Sequence, residues 1–195
     1  MRQAAIERKT RETEICLSLN IDGAGKAEID TGVGFLNHML ELFVFHSGFD
    51  LTVRCKGDTW VDDHHSVEDI GIALGQALLE ALGDKKGIAR YGNFLLPMDE
   101  ALVLVAIDLS GRDILGYQVH LPTEKVGTFD TELVKEFMLG FTRNAKACLH
   151  FQQMAGENTH HIIEAMFKGL GRALRQAVAI DPKRAEETPS SKGVL

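Results

Sequence analysis

The clearest apolar pattern in the chain belongs to a helix that begins in a cluster of acidic residues and histidines. Its apolar positions recur at the spacing of one helix face, at Val67, Ile70, Leu74, Leu78 and Leu82. Asp62 or Asp63 is a natural N-cap, so His64 and His65 fall in the first turn and Glu68 follows one turn later. Glu68 can share an ion with either histidine. Adjacent histidines point about 100° apart on a helix, so one ion cannot easily use both, which indicates two metal ions.

The same pattern occurs a second time, 96 positions further along the chain. Here His160 and His161 are followed by Glu164, after an Asn158 that can cap the helix. Small and apolar residues of the first stretch also recur in register, as Leu170, Gly171, Ala173, Leu174 and Ala177. Coincidence is a poor explanation for so many matches around two copies of a rare His-His-x-x-Glu pattern. The sequence therefore predicts an internal duplication with one metal-binding helix in each half.

Alternating and helical patterns predict the other elements of both halves. In the first half we expect strands at Gln3–Glu7, Glu14–Ile21, Lys26–Asp30 and Asp50–Lys56 and a helix at Phe35–His46, closed by Ser47-Gly48. Asp22-Gly23 is a tight-turn signal before the third strand. In the second half we expect strands at Leu102–Ile107, Tyr117–Leu121 and Cys148–Met154, a helix at Thr131–Lys146 capped by Asp130, and a second histidine helix ending near Asp181-Pro182.

Each half thus has the order strands–helix–strand–helix, which predicts the α+β fold class, with one such unit made twice. We place the first half at residues 1–86, the second at 87–182 and a polar tail at 183–195. The tail has no helical period, so it is either a frayed end or a segment held by a ligand.

Overlaying the halves also pairs the two earlier helices, because His38 lies 26 residues before His64 and Glu136 lies 24 residues before His160. The metal ligands that we infer are His38, His64, His65 and Glu68 from one half, with Glu136, His160, His161 and Glu164 from the other. Imidazole and carboxylate donors without thiolates favour Mn, Fe or Zn over a structural cysteine-bound zinc.

Composition excludes several other classes. The net charge is −7 and no dense basic block occurs, which argues against nucleic acid and membrane partners. Cys16, Cys55 and Cys148 are widely spaced and odd in number, which indicates buried thiols of a reducing compartment. The first residues are too polar for a signal peptide and no apolar run is long enough to span a membrane. We therefore expect a soluble, cytoplasmic protein.

Several titratable residues have ordinary interpretations when each is considered alone. His46, His120 and His150 are typical of satisfied core or surface histidines, and Asp99-Glu100 at a strand start is more often a solvated edge. The cations Arg90, Arg112, Lys168 and Lys192 would individually be surface charges. Together they become candidates for an anion clamp.

These motifs resemble the imidazoleglycerol-phosphate dehydratase family of histidine biosynthesis. The resemblance runs from about Glu7 to the last residue and rests on several motifs in the right order. They are Arg11–Thr13, Gly34–Leu40, Asp62–Glu68, Gly87–Arg90, Asp108–Arg112, His160–Glu164 and Pro189–Leu195.

The resemblance implies two similar α+β halves with the helices packed between two sheets, as in the second domain of ribosomal protein S5. It further implies two Mn²⁺ per active site, sites formed where subunits meet, and trimers that assemble into an octahedral shell of about 24 subunits. Two positions depart from the family pattern. Glu136 stands where the family often has His. A carboxylate is also an acceptable Mn ligand. Leu42 stands where some members have a Gln that contacts phosphate.

The implied reaction converts D-erythro-1-(imidazol-4-yl)glycerol 3-phosphate into 3-(imidazol-4-yl)-2-oxopropyl phosphate and water. Two metals bound to the ring nitrogens would allow an imidazolate to form, which expels the hydroxyl and gives a diazafulvene whose C2 proton is acidic. Glu12 matches a family acid/base residue, with Glu164 and Asp99 as weaker helpers. The phosphate would be held by Arg90, Arg112, Lys168, Ser190 and Lys192 in the second half and the tail, which becomes a phosphate-binding segment.

Two other classes of protein also carry paired metal sites. One is a binuclear metallohydrolase that cleaves a phosphate ester with metal-bound hydroxide. The other is a non-catalytic shell that stores metal.

Overall fold

A four-stranded sheet and two helices make up the first half of the chain in the computed structural model, which describes residues 1–195. The elements are β1 (Gln3–Lys9), β2 (Thr13–Asn20), β3 (Ala27–Asp30), α1 (Gly34–Ser47), β4 (Asp50–Gly57) and α2 (His64–Leu82). The sheet order is β1-β2-β4-β3, and its only parallel pair is β3 with β4. Strand β2 alternates strictly between buried and exposed side chains, so one face of the sheet covers the core.

The second half repeats this arrangement. Its elements are β5 (Tyr91–Met98), β6 (Ala101–Asp108), β7 (Ile114–Gln118), a small hairpin of β8 (Lys125–Val126) and β9 (Phe129–Asp130), α3 (Leu133–Ala145), β10 (Cys148–Ala155) and α4 (Thr159–Ala177). The sheet order β5-β6-β10-β7 again ends in a parallel edge strand. The predicted α+β class with two similar halves is therefore confirmed.

Several strands of the second half differ from the sequence prediction, which also lacks the β8–β9 hairpin. Strand β5 was not predicted, because Gly92 and Pro97 lie within Tyr91–Met98 and are unfavourable inside a strand. Proline is tolerated here because β5 is an edge strand, and Gly92 lies directly against the Ala173 carbonyl of α4. The strand expected at Tyr117–Leu121 is instead β7, which pairs with β10.

Connections also differ from the prediction. Asp22-Gly23 does not join two antiparallel neighbours, since β3 crosses over and pairs in parallel with β4. The Asp50 carboxylate holds this crossover by accepting hydrogen bonds from the amides of Ala24 and Lys26, at 2.8 and 2.9 Å. Asp130 does not cap α3, because it belongs to β9 and bonds Lys125 while the helix begins at Leu133. The second histidine helix ends at Ala177, before the expected Asp181-Pro182.

The first helix of each half packs against the second helix of the other half. Helix α1 contacts α4 and α2 contacts α3, while α2 also covers the first sheet and α4 the second. Glycines permit the close approach: a Cβ at Gly171 would lie 2.7 Å from the Phe43 carbonyl oxygen, and one at Gly71 would lie 2.5 Å from that of Phe137. Because 49 buried apolar residues form one continuous cluster, the two halves share a single core.

Residues 183–195 form neither helix nor strand and run along the start of the second half. The amide of Gly87 donates to the Glu187 carbonyl at 2.9 Å, and the Arg90 guanidinium donates to the Pro189 carbonyl at 3.0 Å. None of the helices has the length and apolar character required to cross a membrane.

The close helix contact can be tested by substituting Gly171 with alanine. The added methyl group would meet the Phe43 carbonyl and the Ser47 amide, so we expect a loss of about 1–3 kcal/mol of folding stability. Thermal unfolding at fixed protein and metal concentration should show a midpoint several degrees lower. Gly34→Ala is the matched control, because open space surrounds that position and alanine favours the helix. Equal midpoints for the two variants would contradict the contact.

Candidate metal centre and active site

Both His-His-x-x-Glu segments lie in the first turn of a helix, as predicted. The Asn158 side chain caps α4 by accepting hydrogen bonds from the amides of His160 and His161, at 2.9 and 3.3 Å. At α2 the Asp62 carboxylate accepts from the His64 amide at 2.8 Å, whereas Asp63 makes no capping bond. The caps fix where each helix starts and so fix the directions of the histidines.

The tightest group of metal-binding side chains lies where α1 meets α4. The Oε1 atom of Glu164 is 3.1 Å from Nε2 of His38 and 3.1 Å from Nε2 of His160, and the three donor atoms lie within 4.8 Å of one another. Since a carboxylate only accepts, both nitrogens donate to it. Glu164 is 7% exposed, whereas the two histidines are half-buried and reach the surface. The inter-half helix contact thus joins predicted ligands from both halves.

Lys168 completes this group from the next turn of α4. Its Nζ lies 2.6 Å from Oε2 of Glu164 and 3.3 Å from the sulfur of Met98. Burial raises the pKa of the Glu164 carboxyl, but hydrogen bonds from Lys168 and His38 outweigh burial and leave that pKa below its ordinary value. Glu164 is therefore held as a carboxylate.

The corresponding contact of α2 with α3 carries the other predicted ligands. Nε2 of His64 lies 3.7 Å from Oε2 of Glu68. Glu136 is in the first turn of α3, one turn before Gly140, and an added Cβ at Gly140 would lie 2.8 Å from the Glu68 carbonyl oxygen. Glu136 therefore lies one helical turn from the residue of α3 that packs against Glu68, near the start of α2. Only at the His38 group do three donor atoms meet within a single chain.

His65 lies between two carboxylates. Its Nδ1 is 3.0 Å and 3.1 Å from the carboxylate oxygens of Asp58, so the ring must donate from that nitrogen. Its Nε2 lies 3.7 Å from Oε1 of Glu12, too far for a hydrogen bond. The hydrogen bond to Asp58 raises the pKa of His65.

His161 has the same surroundings in the second half. Nδ1 donates to the Glu100 carboxylate at 2.7 Å, and Nε2 lies 3.7 Å from Oδ2 of Asp99. Hydrogen bonds from His161 and from the Asn158 amide lower the pKa of Glu100 to about 2. Glu100 is exposed in the turn before β6, as expected of a strand edge, but it is also bonded to a predicted ligand.

Asp58 and Glu100 were absent from the predicted site. Their local pattern does not mark them as partners of histidines, because Asp58 is a single acidic residue after a strand and Glu100 belongs to the Asp99-Glu100 pair in a turn. The available signal was chemical: a metal-binding histidine usually donates its second N–H to a carboxylate.

The predicted phosphate ligands fall into two places in the chain. Nε and Nη2 of Arg90 donate to both oxygens of Asp108 at 2.7 and 3.2 Å, and Nη2 of Arg112 lies 3.7 Å from that carboxylate. Arg90 and Ser190 border a cavity of about 540 Å³ between the tail and Gly87–Tyr91.

The other three predicted cations, Arg112, Lys168 and Lys192, do not line this cavity. Lys192 follows Ser190 in the tail and donates its amide to the Ser190 hydroxyl at 3.2 Å. Lys168 is part of the His38 group instead.

The donors at the α1–α4 contact suit an ion that prefers imidazole and carboxylate ligands. Neighbouring ligand atoms of an octahedral ion with bonds of roughly 2.1–2.3 Å lie about 3 Å apart. The two nitrogen–oxygen distances of 3.1 Å in the His38 group match that spacing. No cysteine takes part, which is consistent with Mn, Fe or Zn.

Comparisons with known proteins agree with the motifs. Residues 31–174 match the family model described as imidazoleglycerol-phosphate dehydratase. Enzymes of that name from Methylorubrum extorquens and Prochlorococcus marinus are 56% and 54% identical to the chain, covering 100% of it and 100% and 96% of their own lengths.

Two solved structures of imidazoleglycerol-phosphate dehydratase superpose closely on the chain. The Staphylococcus aureus enzyme has a TM-score of 0.84 at 47% identity, over 92% of this chain and 99% of its own. The Pyrococcus furiosus enzyme, solved in complex with (S)-C348, has a TM-score of 0.84 at 40% identity, over 97% and 100%. On this sequence and structural agreement, the chain belongs to the imidazoleglycerol-phosphate dehydratase family, the hydro-lyases that catalyse this dehydration in histidine biosynthesis.

Proposed function

We propose that the chain carries out its dehydration with two Mn²⁺ per active site, by the imidazolate and diazafulvene route. The observation that carries the proposal is the meeting of His38, His160 and Glu164 with ligand-like spacing at a helix contact between the halves. The repeated contact of α2 with α3 offers His64, Glu68 and Glu136 for the other ion. His65 and His161 would complete the two ligand sets through Nε2.

Two ions suit the substrate because imidazole has two ring nitrogens. Bound manganese would supply the positive charge that lowers the pKa of the ring N–H and so lets the ring expel the neighbouring hydroxyl. The chain must then fix the ring between the sites, remove a proton from C2 and hold the phosphate. Holding the reacting groups in one geometry supplies much of the rate acceleration in reactions of this kind.

Glu12 is our candidate for the base that removes the C2 proton. Its side chain is 52% exposed and its carboxylate lies beside His65 without a short bond to it, so it stays open to substrate. Asp99 has the same relation to His161 and is the candidate for proton transfer on the opposite side. Glu164 is less suited to that task, because it is buried and bonded to two histidines and a lysine.

The phosphate group would be bound by Arg90, Arg112, Ser190, Lys192 and Lys168. The first four belong to the tail region and its neighbours, whereas Lys168 lies at the His38 group. This separation within one chain supports a site built from more than one subunit. It fits the expected trimers and octahedral shell of about 24 subunits, in which repeated contacts complete every site.

Metal removal and reconstitution test this function. Chelator-treated protein should be inactive, and Mn²⁺ should restore formation of 3-(imidazol-4-yl)-2-oxopropyl phosphate from the imidazole glycerol phosphate, followed by mass spectrometry. Release of inorganic phosphate instead of water would indicate a phosphate-ester hydrolase. Metal uptake without any product would indicate a storage shell.

The same stripped sample also reports on assembly. If ligands from different chains share an ion, the metal acts as a bond between subunits. Light scattering should then show a smaller particle without metal and recovery with Mn²⁺. A particle of unchanged size would contradict a site shared between chains.

Lys192→Ala tests the tail as a phosphate ligand. A charge-assisted hydrogen bond contributes about 1.5–3 kcal/mol, so kcat/KM should fall roughly tenfold to a hundredfold. Manganese content should be unchanged, because Lys192 is not a metal ligand. Lys183→Ala is a control for loss of an exposed positive charge in the same tail. Kinetics like those of the unmodified protein for Lys192→Ala would show that the tail does not bind phosphate.

Glu12→Gln tests the base. Glutamine keeps the size and the hydrogen-bonding shape but cannot accept the proton, so we expect turnover to fall on the order of 10²-fold or more. Metal content, particle size and substrate affinity should remain close to those of the unmodified protein. Exposed Glu14 is bonded only to Lys9, so Glu14→Gln serves as the control. Turnover of Glu12→Gln within a few-fold of normal would transfer the role to Asp99 or Glu164.

A further inference from the structure

Two of the predicted metal ligands, His65 and His161, differ from the others in having a carboxylate on the second ring nitrogen. In both, Nδ1 donates to an acidic side chain, while Nε2 makes no hydrogen bond and lies 3.7 Å from the nearest carboxylate oxygen. His38 and His160 instead use Nε2 to contact Glu164. The carboxylate that accepts from Nδ1 is Asp58 for His65 and Glu100 for His161.

Asp58 is a buried acidic residue, and burial is unfavourable for a charged carboxylate. It is only 8% exposed, and both of its oxygens lie within hydrogen-bonding distance of one atom, Nδ1 of His65. A buried carboxylate without a partner costs several kcal/mol, so this bond is strongly preferred over the alternatives open to the ring. The main chain holds Asp58 in place as well, because its amide donates to the Glu12 carbonyl at 3.1 Å.

Glu100 is fixed by a different means. One carboxylate oxygen accepts hydrogen bonds from the amides of Asn158 and Glu157, at 2.8 and 3.2 Å, and the other accepts from His161. The first pair of bonds ties Glu100 to the loop that leads directly into α4. Through Glu100, the His161 ring is therefore held in a fixed orientation relative to the start of its own helix.

The two carboxylates come from different parts of the duplicated fold. Asp58 follows β4 in the connection to α2, whereas Glu100 lies in the turn between β5 and β6. The duplication alone does not explain why both reach the same ring nitrogen. A shared chemical requirement does, because a histidine that donates through Nδ1 can present only Nε2 as an unprotonated ligand.

We propose that Asp58 and Glu100 are positioning residues that hold His65 and His161 with Nδ1 protonated and Nε2 directed at the metal ions. This proposal rests on the proposed function, in which both histidines are Mn²⁺ ligands. The carboxylates fix the tautomer and the ring angle, and they increase the electron density that each ring offers to the ion. They are not ligands themselves, since each is on the side of the ring away from Nε2.

The test compares Asp58→Asn and Glu100→Gln with the unmodified full-length protein. Both substitutions keep side-chain size and remove the negative charge. After metal removal, Mn²⁺ is titrated back and the free ion is measured by electron paramagnetic resonance. We expect the Kd of the affected Mn²⁺ to rise about tenfold to a hundredfold, the usual effect of removing such a carboxylate. Excess Mn²⁺ should restore most of the turnover, which simple damage to the fold would not allow.

Matched controls come from the same loops. Asp62→Asn removes a negative charge near His65 but keeps a side-chain oxygen that can accept the His64 amide and cap α2. Glu157→Gln removes an exposed carboxylate whose side chain makes no hydrogen bond. Both should keep the Kd of the unmodified protein, as measured on samples with normal circular dichroism. If Asp58→Asn and Glu100→Gln bind Mn²⁺ within twofold of the unmodified protein, or if the controls weaken equally, the positioning role is wrong. If the unmodified protein binds no Mn²⁺, the proposed function itself fails.

Discussion

The helix contact between the halves is the constraint on which the rest of the structure depends. Each half supplies a sheet and two helices, but its first helix is buried by the second helix of the other half. Backbones must approach closely for this, and Gly71 and Gly171 allow it because no side chain stands between the helices. The same contact brings His38 to His160 and Glu164. Core packing and the proximity of the candidate ligands therefore have one cause.

The two halves are similar in their framework and different in their charges. Lys168 neutralises Glu164 at one helix contact, whereas the equivalent position in α2 is Ile72 and leaves Glu68 without such a partner. Glu136 in turn occupies the place that His38 has in the first half, and so adds a negative charge where the other contact has an imidazole. A cation at each contact would therefore meet a different local field, although the fold around it is the same.

Most of the fold and part of the site could be predicted because their signals are local. The His-His-x-x-Glu pattern, the caps and the helical period all lie within a few residues, so His64 and His160 were placed correctly in their helices. Strand β5 was missed because its proline and glycine are acceptable only at an edge packed on α4, which is a tertiary property. Asp58 and Glu100 were missed for a related reason: their partners are seven and 61 residues away, and only the folded chain brings them together.

The exchange of helix partners also has a consequence for how such a molecule can be divided. Either half alone would expose two apolar helix faces to water, and only another copy could cover them by forming the same contacts across a twofold axis. A separate half would therefore fold only as a dimer, with a stability that depends on its concentration. Joining the halves in one chain makes this association intramolecular, at an effective concentration in the millimolar range for a short connection. It also frees each half to change its sequence independently, which a symmetric dimer of identical chains could not do.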